Sequence, residues 1–418
     1  MAGVKLNKLN TVILVLNIVV VYSKKYHPET FLNVEQKIRY HGYPAEVYQI
    51  ETEDDYLIPF YRIPYSPYRG NRNVKNKSIV ILMHGMGGCP ENFMVLGRQS
   101  LPYYFSDKGL DVWLFSSRGT SSPFKKMHKY LDWNDGPEYW KFSCHDIAIH
   151  DLSAAIDFAI SHSDQKKVFL VGHSAGGTNM YTLLAEKPEY NDKVKIGVSW
   201  GNAMILKRFD FPLGLFCVSF GDLLKGIVKY FNMGELFPQL QILRPLLREM
   251  CNDPEWVKAC IKTSWFIGSQ RSYITDPKDI GVMVTLAPPR VSIKQAFHYM
   301  DNLITGRFQK FDYGTKENLK RYGTRRPPLY NTSAVTAPIA FIYGHCDSFF
   351  LKGDYYESAE LLPNVVTVYE VPFKKYTHAD FILSRNSTSM TYEPTYNLFK
   401  NYDNGIIPPR FIPPANYT

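Results

Sequence analysis

Between residues 78 and 190, short apolar runs alternate with an amphipathic stretch. Ser78–Met83 (SIVILM), Asp111–Phe115 (DVWLF) and Val168–Val171 (VFLV) are dense in aliphatic, partly β-branched residues. Runs of this length with no polar face read as strands buried on both sides of a mainly parallel sheet. His145–Ser161 instead spaces Ile147, Ala148, Leu152, Ala155, Ile156 and Ala159 along one face of a helix. Lys195–Trp200 continues the strand series. The alternation predicts an α/β fold with helices on both faces of the sheet. Upstream, two β-rich runs in His41–Tyr65 flank the acidic turn Glu53-Asp54-Asp55, which predicts a hairpin at the sheet edge. Pro59 in the second run supports an edge position, because proline cannot donate to a ladder.

From residue 201 to 329 the strand–helix period is absent. Helix-like blocks rich in Leu, Phe, Met and Tyr take its place, among them Leu215–Phe231 and Leu240–Met250. This segment is expected to be an inserted helical cap, whose apolar helices suit an oily substrate. Strand patterns resume at Pro338–Tyr343 (PIAFIY) and Val365–Val371 (VVTVYEV). The core is thus expected in two parts, 24–200 and 330–418, with a Pro-rich tail after Asn404 lying over the surface.

The chemistry-bearing stretch is VFLVGHSAGG, Val168–Gly177. An apolar strand runs into Gly172-His173-Ser174-Ala175-Gly176, and a helix-compatible segment, Thr178 to Glu186, follows. This strand–turn–helix context makes G-x-S-x-G a nucleophile elbow. Small residues two before and two after Ser174 let strand and helix approach closely, and Ser174 is lifted above the sheet. The N–H of Ala175, at the helix start, then faces a developing negative charge. A second donor is expected from the glycine-rich turn His84-Gly85-Met86-Gly87-Gly88 after the strand Ser78–Met83, at Met86 or its neighbour. Serine needs a base, and the base an orienting carboxylate. Asp347 lies just past one late strand and His378 just past the next. Ser174, Asp347, His378 is the chain order of α/β hydrolases, and strand C-termini of a parallel sheet share one edge. Asp354 and Asp380 are rival carboxylates; His84, His173 and His345 are rival bases. Asp347 leads because Asp380 is two residues from His378 and Asp354 lies further into its loop. His173 is expected to point away from Ser174, and His84 belongs to the glycine turn.

The 418 residues are 45% hydrophobic, enough for a sizeable core. The net charge of +9, from 48 basic and 39 acidic residues, comes without a nucleic-acid motif. Lys5 and Lys8 precede Thr11–Tyr22 (TVILVLNIVVVY), which reads as the n- and h-regions of a secretory signal peptide cleaved near Ser23, with a retained signal anchor as the alternative. Sequons at Asn76, Asn331 and Asn386 become glycosylation candidates behind such a leader; a fourth begins at Asn416, near the chain end. Six cysteines in this length do not make a disulfide scaffold. Cys251 and Cys260 could close a small loop, and the other four are expected to be mainly buried thiols.

The chain closely resembles the acid lipase family of α/β hydrolases, which includes gastric and lysosomal acid lipases and insect lipase-like proteins. The resemblance runs through HGYPAEVYQIETEDDYLIPFYRIP, HGMGG, DVWLFSSRG, GHSAGGTNMYTLLAEKPEYND, APIAFIYGHCDSFF and YTHADFI. It implies an α/β-hydrolase fold with a helical cap and lid, and ester hydrolysis of neutral lipids at a lipid–water interface. It places the nucleophile on Ser174, the acid on Asp347, the base on His378 and the oxyanion donors on the backbones of Met86 and Ala175. It also makes Cys251–Cys260 resemble the family's cap disulfide. Ala175 stands where the family often has Gln, and a backbone donor tolerates that change. Ile261–Pro289 departs most from the family. The expected activity is that of a secreted serine lipase, with a lysosomal location as the alternative and no metal or organic cofactor. A catalytically silent lipid-binding protein and an esterase for small soluble esters are the alternatives.

Overall fold

In the computed structural model the apolar runs are strands: β1 (Glu46–Glu51), β2 (Leu57–Ile63), β3 (Ile79–Met83), β4 (Asp111–Phe115), β5 (Val168–His173), β6 (Val194–Trp200), β7 (Ile339–Tyr343) and β8 (Val365–Glu370). The structure describes residues 27–120, 122–134, 136–236, 244–253, 255–260 and 290–415, with 262, 274, 276, 279, 282, 283 and 286 between them. The leader expected over 1–23, the sequon at Asn416 and most of Ile261–Pro289 lie outside the described residues. Among the described residues no helix is long and apolar enough to cross a membrane.

The eight strands form one sheet in the order β1-β2-β4-β3-β5-β6-β7-β8. β1 and β2 are antiparallel to each other, β2 is antiparallel to β4, and every other pair is parallel. The hairpin therefore lies at the edge, but β1 is the edge strand and β2 is interior. Pro59 pairs with Gln49 of β1, and the ladder between β2 and β4 begins one residue later, at Phe60 with Phe115. The missing N–H falls where no second neighbour needs it, so proline marks the end of a ladder here rather than an edge strand.

Alternate residues of the central strands enter two separate cores. Ile79, Ile81, Met83, Val168 and Leu170 pack on one face; Val80, Leu82, Phe169 and Val171 pack on the other. Burial on both faces is why the runs are continuously apolar rather than alternating. Helices cover both sides: α1 (Val34–Tyr40), α2 (Leu101–Asp107), α3 (from Cys144 to Ser161), α4 (Ala175–Glu186), and, past β7, α9 (Lys352–Leu361), α10 (Asp380–Leu383) and α11 (Glu393–Asp403). α3 begins as Cys144–Asp146, widens into a π-turn over Ile147–Leu152 and resumes as Ser153–Ser161. At the far edge the tail lies beside β8, where Phe411 N donates to Val365 O at 2.6 Å.

Between β6 and β7 the described residues hold α5 (Pro212–Tyr230), α6 (Arg244–Cys251), α7 (Ile293–Thr305) and α8 (Thr315–Tyr322), with isolated bridges but no strand. α7 is closed by a Ser292 N-cap and a left-handed Gly306. Cys251 and Cys260 form a disulfide with a Cα–Cα distance of 5.8 Å. Of the four free thiols only Cys144 is fully buried; Cys89, Cys217 and Cys346 are partly exposed, so the expectation of mainly buried thiols holds for one of the four.

Candidate active site

Ser174 follows the last residue of β5 and precedes the first residue of α4, with φ 54° and ψ −124°. Few residues other than glycine hold a positive φ, and several contacts impose it. Ser174 N donates to Trp200 O of β6 at 2.9 Å, and Gly177 N donates back to Ser174 O at 2.9 Å. A Cβ on Gly172 would sit 2.5 Å from Gly177 N, and one on Gly176 would strike the Met83 carbonyl oxygen. Both glycines are thus required by close approach of strand and helix, the reason the pattern needs small residues there.

The turn after β3 passes over the serine. Gly88 N donates to Gly85 O at 2.9 Å, and Gly87 has φ 65°, a four-residue turn that leaves the Met86 N–H out of its own closing bond. A Cβ on Gly85 would be 2.9 Å from Ser174 Cβ and 3.4 Å from its Oγ. His84 holds this turn from behind. Its Nε2 accepts from Ser117 N at 3.2 Å, so Nδ1 carries the proton and donates to Gly85 O at 2.8 Å. Burial pushes its pKa down to about 4, with the Gly85 bond opposing. His84 is therefore a neutral strut rather than a free base. A small closed cavity behind the turn is lined by Gly85, Gly88, Ala175, Asn179 and Gln295.

Asp347 and His378 meet above the C-terminal edge of β7 and β8. Asp347 is fully buried; its Oδ2 lies 2.8 Å from His378 Nδ1. Its Oδ1 accepts from the N–H of Phe349 at 2.9 Å. A carboxylate on Nδ1 makes that nitrogen the donor and leaves Nε2 as the acceptor, the state a general base requires. Phe349 and Phe350 flank the imidazole, with ring centroids 4.6 and 6.4 Å away. Gly201, at φ +55°, passes so close that a Cβ would lie 3.1 Å from both Asp347 Oδ2 and His378 Nδ1.

The rivals have other work. Asp380 Oδ2 accepts from Thr377 N at 2.7 Å and Thr377 Oγ1 at 2.8 Å, which braces the loop carrying His378. Asp354 pairs with Arg208 at 3.0 Å, and burial raises its pKa to about 6 while the Arg208 contacts hold it back. His345 faces Glu370. His173 lies against His378 itself, with ring centroids 4.9 Å apart. Sequence reasoning missed this contact and Gly201. The signal for Gly201 was a glycine directly after a strand whose C-terminus faces the other two loops. A larger hollow of about 540 Å³, lined by Tyr40, Tyr68 and Arg98, shares no residue with this site.

Residues 34–97 match the partial alpha/beta-hydrolase lipase region, and residues 78–213 match the alpha/beta hydrolase fold. Lipase 3 of Drosophila melanogaster is 31% identical over 373 residues, covering 88% of this chain and 93% of that protein. The chain belongs to the acid lipase family of α/β hydrolases. As a member of this lipase family it is a carboxylic ester hydrolase. Gastric triacylglycerol lipase of Homo sapiens is 31% identical, covering 87% of this chain and 90% of that one. Human lysosomal acid lipase/cholesteryl ester hydrolase is 29% identical, covering 90% and 92%. Among solved structures, a candidate lipase from Acinetobacter baumannii superposes with a TM-score of 0.50 at 14% identity, covering 91% of this chain and 99% of that one. At that identity the likeness speaks for the fold alone.

Proposed function

We propose that this lipase-family chain hydrolyses neutral lipid esters through an acyl-enzyme on Ser174. The observation that carries the reading is the buried pair of Asp347 and His378, 2.8 Å apart, on strand-end loops beside a serine held at φ 54°. His378 Nε2 takes the Ser174 proton as Oγ attacks the ester carbonyl. The N–H groups of Met86 and Ala175 receive the oxyanion. The alcohol leaves with the proton from His378. Water, deprotonated by the same nitrogen, then attacks the acyl carbonyl, and the fatty acid departs as Ser174 regains its proton. Asp347 keeps the imidazole oriented and stabilises its cation.

The substrate class follows from the relatives, whose names specify triacylglycerol and cholesteryl esters. A cap over 201–329 fits the same reading. Leu215, Phe216, Leu223, Ile227 and Tyr230 of α5 are exposed, a surface suited to contact with lipid. Secretion is proposed from the leader pattern, and Asn76, Asn331 and Asn386 lie on exposed positions where glycans would be tolerated. The test is fatty-acid release from emulsified trioctanoin by the wild type and by Ser174→Ala. The expected result is a loss of about 10³-fold or more in the variant. A variant that keeps full activity would overturn the reading.

A further inference from the structure

His173 sits inside the elbow, yet nothing in the acyl-transfer scheme uses it. It is buried, and its Nε2 lies 3.1 Å from the backbone carbonyl oxygen of His378. A carbonyl only accepts, so Nε2 carries the hydrogen and donates. The two rings lie 4.9 Å apart at 39°. We propose that His173 is a positioning residue for the base: its Nε2–H bond to His378 O fastens the base-bearing loop to the elbow that carries the nucleophile. This rests on the roles proposed above for Ser174, Asp347 and His378.

The loop is held before His378 by Cys346 N donating to Tyr376 O at 3.0 Å and by Thr377 N donating to Asp380 Oδ2 at 2.7 Å. The imidazole meets Asp347 at Nδ1 and lies against Phe349 and Phe350. All three belong to the loop after β7, so these contacts set the ring relative to that loop and not relative to the elbow. The His173 bond fixes the peptide unit of His378 itself. Its other end is rigid, because β5 pairs with β6 up to His173 and Trp200, and Ser174 N donates to Trp200 O. The spacing of base and nucleophile is then set by one short covalent path, His173–Ser174, rather than by two independent loops. Burial, and to a lesser degree the neighbouring His378 and His84, pushes the His173 pKa down to about 3. The neighbour therefore stays neutral when His378 becomes a cation during turnover.

The test compares His173→Gln, whose amide N–H reaches about where Nε2–H stands, with His173→Leu, which fills the space without a donor. Activity is measured on a soluble chromogenic butyrate ester, with thermal midpoints for each protein. His173→Leu is expected to lose about 10- to 100-fold in kcat, the scale of a misplacement near 1 Å, with KM changed less than about threefold. His173→Gln is expected to recover to within about fivefold of wild type. If His173→Leu does not fold, His173→Asn replaces it, since its shorter side chain stops short of the carbonyl. Wild-type kcat without the donor, or a Gln variant no better than the donor-less one at equal thermal midpoint, overturns the proposal. Ser174→Ala is run alongside: if it retains activity, the proposed function fails rather than the role of His173.

Discussion

Ser174 holds a backbone conformation that costs about 1–3 kcal/mol in a residue other than glycine, and its neighbours supply the constraint. Gly85 is the most exposing test of that arrangement. Its own φ is not positive, so alanine is compatible with the backbone, yet the new Cβ would lie 2.9 Å from Ser174 Cβ. Gly85→Ala is therefore expected to lower kcat by about 10²-fold while moving the thermal midpoint by only a few degrees. Measuring both on the same preparation separates a blocked nucleophile from a damaged fold. At this scale much was legible in the chain. Ser174, Asp347 and His378 each follow an apolar run, and strand ends share an edge. The contacts of His173 and Gly201 were not legible, because they depend on how four strand ends, spread from residue 173 to residue 378, come together. A histidine before the serine says nothing by itself about which neighbour its ring will meet.

Among the elements, the loop after β4 is tied to the rest of the core by one buried cation. Arg118 donates through Nε to Asp151 Oδ1 at 2.8 Å and through Nη1 to Asp54 Oδ2 at 2.6 Å. Its backbone N–H also reaches Asp151 Oδ2 at 2.8 Å, and its guanidinium lies 3.8 Å from the Tyr56 ring centroid. Burial opposes the charge, and the two carboxylates outweigh it, so the Arg118 pKa rises. Asp151 sits inside the π-turn of α3, which places its carboxylate under the loop. Arg118→Met leaves a fully buried Asp151 without its partner and is expected to destabilise by about 3–5 kcal/mol. Asp54→Asn, at a partly exposed position, is expected to remove less than half of that. Denaturant midpoints of the two variants check the order. The strands and the face of α3 were legible because burial imposes periodicity. The π-turn was not, since one extra residue in a turn leaves the apolar spacing nearly unchanged. Nor was the ion triad, whose members are 33 and 64 residues apart.

For the molecule as a whole, burial of uncharged histidines sets a pH response. His84 and His298 have pKa values lowered to about 4, mainly by burial, and His173 to about 3. An unfolded chain binds a proton at each near 6.5, whereas the folded chain does not until pH nears 4 or below. Their contribution to stability is complete above 6.5 and is lost as pH falls toward 4. Asp354, raised to about 6, acts in the opposite sense: it favours the fold below its unfolded value of 3.8 and loses that contribution as pH rises through 6. His298 isolates the first effect away from the proposed chemistry. It accepts from Cys144 Sγ at 3.1 Å and donates to Gln309 O at 2.8 Å, linking α7 to α3. His298→Gln is expected to be less stable than wild type at pH 7, with the gap shrinking or reversing at pH 4.5. A gap that stays constant across that range would contradict the linkage. The same architecture brings two late strand ends and the elbow to one edge of the sheet, where the roles proposed for Ser174, Asp347 and His378 make them one working site. The direct measurement is reaction of the protein with a fluorescent alkylphosphonate in detergent, followed by mapping of the labelled peptide. Stoichiometric label on Ser174, lost in His378→Ala, is the predicted result. Folded protein that takes up no label, or takes it up at another residue, would contradict those roles.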